Sequence, residues 1–217
     1  MSKYFTFVKG NRNEGAIDSI KRLNLFVESY LKENEEQYKM KEEDEYFDEV
    51  QDLYAYEVKP IFTKNVSKSD ILETEERINI NFPKSYTDFI LENGLFKWGS
   101  GDCEFLHPSK IIKLEDVLRE EFSFDINDPK NENHKEKIES LICFSHGDEG
   151  RQSIYFYCFD QLTLNKSTGE MSVVKFRQDE WFNDLINNRK TKKCEGKGLD
   201  YFLYDYCNEF ITKVLEY

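Results

Sequence analysis

The sequence lacks any long apolar run. Stretches such as Ile154-Tyr155-Phe156-Tyr157-Cys158-Phe159 fall far short of the ~20 residues that a membrane-crossing helix needs, which excludes a helical span. Met1 to Gly10 shows neither an apolar core nor a small-residue cleavage site, so no secretory leader is expected and the expected compartment is the cytoplasm. Cysteine is sparse and unpaired in pattern. The five residues, at 103, 143, 158, 194 and 207, are odd in number and no two stand in a C-x-x-C spacing, which predicts reduced, mostly buried thiols and no metal site. Positive charge is also short. Thirty basic against 43 acidic side chains leave a net charge of −13, which argues against a nucleic-acid partner, because phosphate contacts need a positive footprint.

Catalytic signatures are missing as well. No phosphate-cradling P-loop, strand-linked G-x-G-x-x-G, H-E-x-x-H or G-x-S-x-G occurs, so no cofactor is expected. The only histidines are His107, His134 and His146. Cys143, His146 and Asp148 can be written as nucleophile, base and orienter, but neighbouring strand positions point in alternate directions and this spacing supplies no convergence. With 43 acidic residues, chance carboxylate pairs are inevitable and identify no acid–base couple. The reading is of a protein that is not an enzyme.

What is present suits a folded chain. Hydrophobic residues make up 39% and aromatics 15% of 217 residues, too many for wholesale disorder, and a chain of this length buries about 70% of its unfolded surface without cross-links. The first third reads as helical. Ile17, Ile20, Leu23, Val27, Tyr30 and Leu31 recur at three- and four-residue steps between Glu14 and Asn34, and a second helix is expected from Glu35 to Tyr56. Ten carboxylates between Glu33 and Asp52 face only Lys39 and Lys41, a solvated helix face or a docking surface for a basic partner.

A different texture begins at Ser67. Asp70 and Glu73 form a D-x-x-E pair that predicts the start of a helix carrying Ile71, Leu72, Ile78 and Ile80. Proline at 83 opens a second helix with Tyr86, Phe89 and Ile90 on one face, closed by Asn93-Gly94 with glycine in the left-handed conformation. Ile111 to Leu114 is a short apolar run followed by a helical turn from Glu115 to Glu121. Phe124 to Glu139 is polar and reads as a mobile surface loop. Three strands are expected at Leu141 to Ser145, Ser153 to Asp160 and Glu170 to Phe176, joined by glycine-containing polar connections. A helix with Trp181, Phe182, Leu185 and Ile186, a basic loop from Asn187 to Lys197 and a last helix from Leu199 to Glu216 complete the chain. The class is α+β: an antiparallel sheet flanked by helices, with a helical acidic extension over 1–66 and the α+β domain over 67–217.

The run Ile71-Leu72-Glu73 through Glu76, Ile78 and Ile80, then Phe82-Pro83-x-x-Tyr86-x-x-Phe89-Ile90 and Asn93-Gly94, resembles the opening of the SUKH superfamily, which includes the fungal Smi–Knr cell-wall-assembly regulators and many bacterial immunity proteins. Ile142-Cys143-Phe144, Gly147-Asp148-Glu149-Gly150 and Ile154-Tyr155-Phe156 up to Asp160 resemble that superfamily's central strands, and Val173-Val174 before Trp181-Phe182 its closing strand and helix. The chain departs from the pattern at Leu95, where a second glycine is frequent, and in the polar insertion from Phe124 to Glu139.

The resemblance implies a non-catalytic binding protein that takes a protein partner. One reading is an immunity protein for a cognate toxin, with a basic toxin domain such as a nuclease as its partner; the other is an intracellular scaffold or adaptor of the Smi–Knr type. An acidic chain speeds encounter with a basic face, while affinity needs desolvated anchors. Candidate anchors are Trp98, Tyr155 and Tyr157, and candidate acidic contacts are Asp102, Glu104, Asp148 and Glu149. Trp98 reads equally as a core-capping aromatic. Tyr155 and Tyr157 face away from Phe156 and Cys158, so one of the two sets is expected to be core, and the sequence leaves open which. The oligomeric state is open, because apolar helix faces bury within one chain or across two.

Overall fold

The computed structural model describes residues 7–8, 10–11, 13–41, 60–63, 65–98, 103–148, 154–177 and 198–216. The chain divides into two compact units, one gathering Met1–Ile61, Trp98–Ser100 and Asp200–Tyr217, the other Phe62–Lys97 and Gly101–Leu199.

In the first unit, α1 (Ala16–Lys41) buries Ala16, Ile20, Leu23 and Val27 at helical spacing, together with Phe26. No proline or glycine interrupts 16–41, so the helix runs past the break expected at residue 35; the remainder of the expected second helix, 42–56, lies outside the described residues. Its buried Ser19 donates a hydrogen bond to Glu14 Oε1 at 2.7 Å. Arg22 completes this corner, ion-paired with Glu14 at 2.6 Å and donating to the Phe7 carbonyl. Burial opposes ionisation of Glu14, but the hydrogen bonds and charge of Arg22 and the Ser19 hydroxyl outweigh it and hold the carboxyl below its ordinary pKa. The first N–H of α1, that of Ala16, is satisfied by Asp200 Oδ1 at 2.8 Å. Asp200 belongs to α6 (Gly198–Glu216), whose Leu203, Cys207 and Ile211 are buried.

The second unit is built on the sheet, and holds all of its residues but Ile61 and Trp98. Its strands are β1 (Ile61–Thr63), β2 (Leu95–Trp98), β3 (Cys103–Phe105), β4 (Ile112–Lys113), β5 (Leu141–Asp148), β6 (Ile154–Asn165) and β7 (Glu170–Arg177). The order across the sheet is β1-β2-β3-β5-β6-β7, with β4 also on β5, and the sheet is antiparallel. The three long strands match the sequence reading; β1 to β4 are too short to show a period of two.

Helices lie on both sides of this sheet. On one face α4 (Leu114–Phe122) and α5 (Glu132–Glu139) pack Leu114, Val117, Leu118 and Ile138 against Leu141, Cys143, Phe156, Cys158 and Phe176. The segment 124–139 is thus not the expected loop: a 3-10 turn at Pro129–Asn131 leads into α5, and fully buried Ile138 anchors it. On the other face an aromatic cluster joins the sheet to α3 (Lys84–Asn93). Phe144 stacks on Phe159 at 4.0 Å, and Tyr86 meets Phe82, Phe105, Phe144 and Phe159 at 5.1–6.0 Å between centroids. Phe144 points to this face by alternation from Cys143, and the bulge between Cys143 and Ser145 puts Ser145 opposite Tyr157 on the same side.

The helix ends show what the sequence set locally and what it did not. α2 (Lys68–Ile78) opens on a capping box made by Ser67 and Asp70, three residues before the expected Asp70–Glu73 pair, and ends on Asn79 at φ 55°. Hydrogen bonds from the Ser67 hydroxyl and backbone hold Asp70 below its ordinary pKa. Pro83 precedes α3 rather than occupying its first turn, and Gly94 closes it at φ 92°, ψ −171°, an extended positive-φ conformation rather than the expected left-handed one. Gly198 is held by proximity: a Cβ there would lie 1.9 Å from the Met171 carbonyl oxygen.

Candidate functional site

Of the seven residues proposed from sequence as partner contacts, Trp98, Glu104, Tyr155 and Tyr157 have described side chains. Trp98 is fully buried and packs edge-on to Phe210 at 5.3 Å and 86°. It is a core aromatic, with no surface available to a partner. Its indole Nε1 finds no hydrogen-bond partner among the described residues.

The choice between the Tyr155/Tyr157 and Phe156/Cys158 sets dissolves, because all four are buried. Alternation along β6 puts the sets on opposite faces, as expected, yet both faces are covered. The tyrosine rings meet edge-on at 5.5 Å, and the Lys175 ammonium of β7 sits 3.7 Å above the Tyr155 ring centroid and 5.9 Å from that of Tyr157. Register explains the meeting: Lys175 is directly opposite Tyr157, with Tyr155 one pleat away on the same face. Lys175 itself is exposed, so a cation, not a phenol, is what this corner presents. Sequence reasoning missed Lys175; the alternation of β7 carries the signal, but only once the β6–β7 register is known.

Glu104 is the proposed acidic contact with a described, partly exposed side chain. It sits at 38% exposure, ion-paired with Lys97 of β2 at 2.7 Å. It also stands directly opposite His146 of β5, which in turn opposes Phe156. This row therefore runs from a carboxylate through an imidazole to an aromatic ring. His146 Nδ1 is buried without a hydrogen-bond partner among the described residues. Asp148 closes β5 in register with Ile154; Asp102 and Glu149 lie outside the described residues.

Chemistry at Cys143, His146 and Asp148 gains no support. Cys143 is fully buried, and its sulfur lies 3.4 Å from that of Cys158, directly across the β5–β6 ladder. Burial, then the hydrogen bond to Cys143, pushes the neighbouring Cys158 thiol well above its ordinary pKa. The fully buried Asp160 is neutralised by Lys137 and bonded by Ser140 Oγ at 3.3 Å and the Leu162 N–H at 3.1 Å, so it fastens the end of the β5–β6 pair. Glu170, also buried, accepts from the Ser85 N–H at 2.9 Å and hydroxyl at 2.6 Å. Among the described residues no group of three or more histidines, cysteines or carboxylates is placed to hold a metal, and no helix is long and apolar enough to cross a membrane.

Residues 65–191, more than half of the chain, match the family model described as the SMI1 / KNR4 family (SUKH-1). The matched span runs from the Ser67 cap through β7 and carries the aromatic cluster around Tyr86. No curated protein matches the chain.

Proposed function

From the membership of this chain in the SMI1 / KNR4 family (SUKH-1), we propose that it is a non-catalytic binding protein of the immunity type, which neutralises a cognate toxin domain by covering its active face. The family match over 65–191 carries this reading, since members of the family are generally non-catalytic and serve as protein-binding immunity domains. The charge of −13 supports a basic toxin, such as a nuclease, as the partner, because opposite potentials raise the encounter rate. Asp102, Glu104, Asp148 and Glu149 are the proposed acidic contacts. Tyr155 and Tyr157 act beneath the surface, by holding Lys175 in place. The acidic extension over 1–66 and the α+β domain over 67–217 are proposed as the two parts of the chain, with the second carrying recognition, and the protein works in the cytoplasm.

The test is a rescue assay. The C-terminal domain encoded by the neighbouring gene is expressed with and without this protein, and colony survival is scored. Death alone and survival together establish immunity; a Glu104→Lys, Glu149→Lys variant that folds should then protect less. A harmless neighbour, or one that kills regardless, removes the immunity reading in favour of an adaptor of the Smi–Knr cell-wall type, which binds several partners more weakly.

A further inference from the structure

The β5–β6 pair contains a feature that partner binding does not use. Cys143 and Cys158 occupy directly opposed positions on the two strands, both fully buried, with their sulfur atoms 3.4 Å apart. Opposed residues of an antiparallel pair have Cα atoms about 4.5–5.5 Å apart, inside the range of about 4.4–6.8 Å that a disulfide tolerates. The Cα spacing of such a pair therefore suits a bond, and the sulfurs must close from 3.4 Å to about 2.05 Å. The ladder is already interrupted beside Cys143, where the bulge runs to Ser145.

We infer that Cys143 and Cys158 are a redox-sensitive fastener: a reduced thiol pair that a small hydroperoxide converts to a cross-strand disulfide, locking β5 to β6. The step balances in two stages. One thiol takes an oxygen atom from the hydroperoxide, forming a sulfenic acid and releasing water from hydrogen peroxide, or an alcohol from an organic peroxide. The second thiol then displaces hydroxide from the sulfenic sulfur; the S–S bond forms, and the hydroxide leaves as water with the thiol proton. Both cysteines are oxidised by two electrons in total, and the O–O bond is reduced. Burial makes the pair selective, because a peroxide reaches it during local opening while bulky disulfide oxidants are excluded. Burial keeps the Cys158 thiol protonated until then.

The disulfide closes a short loop across 143–158, which constrains the unfolded chain and suppresses opening of the central strands. The inference concerns the sheet alone and stands whatever the partner.

The experiment uses the full chain. The folded protein is treated with hydrogen peroxide in native buffer, remaining thiols are alkylated, and the proteolytic digest is analysed by mass spectrometry without reductant. A linked Cys143–Cys158 peptide is expected, with a Tm higher by several degrees that falls back on adding dithiothreitol; a Cys143→Ala chain should show neither. The inference is overturned if the two cysteines are alkylated intact after peroxide treatment. Linkage that forms only in urea, links to Cys103, Cys194 or Cys207 instead, or a linked form that melts lower than the reduced one also overturn it. The peptide map is read on the unmodified sequence, so the result stands even if the Cys143→Ala chain does not fold.

Discussion

Tyr86 sits among four aromatic rings, fully buried, with its hydroxyl unbonded among the described residues. Burial raises its pKa far above the ordinary value, so the phenol stays neutral. An unsatisfied buried hydroxyl costs about 1–3 kcal/mol, whereas the ring contributes packing on every side. Tyr86→Phe should therefore leave stability unchanged or raise it by up to about 2 kcal/mol, while Tyr86→Ala should cost about 3–5 kcal/mol. Urea titrations of the three chains check this, and a clear loss in the phenylalanine chain would show that the hydroxyl has a bonded role. Glu14 gives the contrasting case of a partly buried group that is satisfied. Its depressed pKa means that its stabilisation is fully present above the unfolded value, about 4.3, and is lost as pH falls through the folded value. The stability gap between the natural chain and Glu14→Gln should accordingly be open at pH 7 and close on acidification below pH ~4, as followed by circular dichroism. Residues such as Tyr86, Phe89 and Ile90 were legible as core because their spacing marks one helix face. Trp98, Tyr155 and Tyr157 were not, because alternation tells which way a side chain points and not whether a second layer covers it.

At the scale of elements, two helices are capped from far along the chain. Pro83 offers no side-chain acceptor, so the start of α3 depends on Glu170 of β7, which takes both the Ser85 N–H and its hydroxyl. Asp200 does the same for α1 through the Ala16 N–H. Such caps leave no trace at their own helix in the sequence, in contrast to Ser67-x-x-Asp70, whose signal is local and was displaced only by a residue choice between neighbouring acids. Loss of the local box through Asp70→Ala should cost little, because the pair stands in water. Glu170→Ala should cost more, about 2–3 kcal/mol, because two bonds to a charged acceptor are lost inside the fold. Chemical denaturation ranks the two, and equal losses would mean that the remote cap contributes no more than a surface one. Gly198 makes the same point sterically. With a Cβ 1.9 Å from the Met171 carbonyl, Gly198→Ala requires backbone movement at the start of α6 and should cost about 1–3 kcal/mol or more, with lower soluble yield. Strands β5 to β7 were readable because they are long and rich in β-branched and aromatic residues. α5 was missed because its one buried apolar residue, Ile138, sets no period.

For the whole molecule, the question is what the acidic extension does. The family match begins at residue 65 and ends at 191, which leaves α1 and α6 both outside it. These two helices fall in one compact unit, where Asp200 caps α1 and the Arg22 guanidinium lies 5.4 Å from the Tyr204 ring centroid. α1 brings Ile20, Leu23, Phe26 and Val27 to that unit, and α6 brings Leu203, Cys207 and Ile211. Each fully buried side chain of this kind contributes roughly 1.5–3 kcal/mol, so separation of the helices exposes more apolar surface than a domain of ordinary stability tolerates. A chain beginning at Ser67 should therefore lose solubility and bind a hydrophobic dye, because α6 keeps its apolar stripe but loses the helix that shares its unit. Removing 192–217 together with the first 66 residues takes away both stripes at once, and that shorter chain should stay more soluble than the one that keeps α6. Expression of the three chains side by side, with dye binding and light scattering on each, separates packing from recognition. If the chain beginning at Ser67 is instead soluble, cooperative in unfolding and unable to protect in the rescue assay, the extension is part of the binding surface, and the carboxylates between Glu33 and Asp52 become the first residues to reverse.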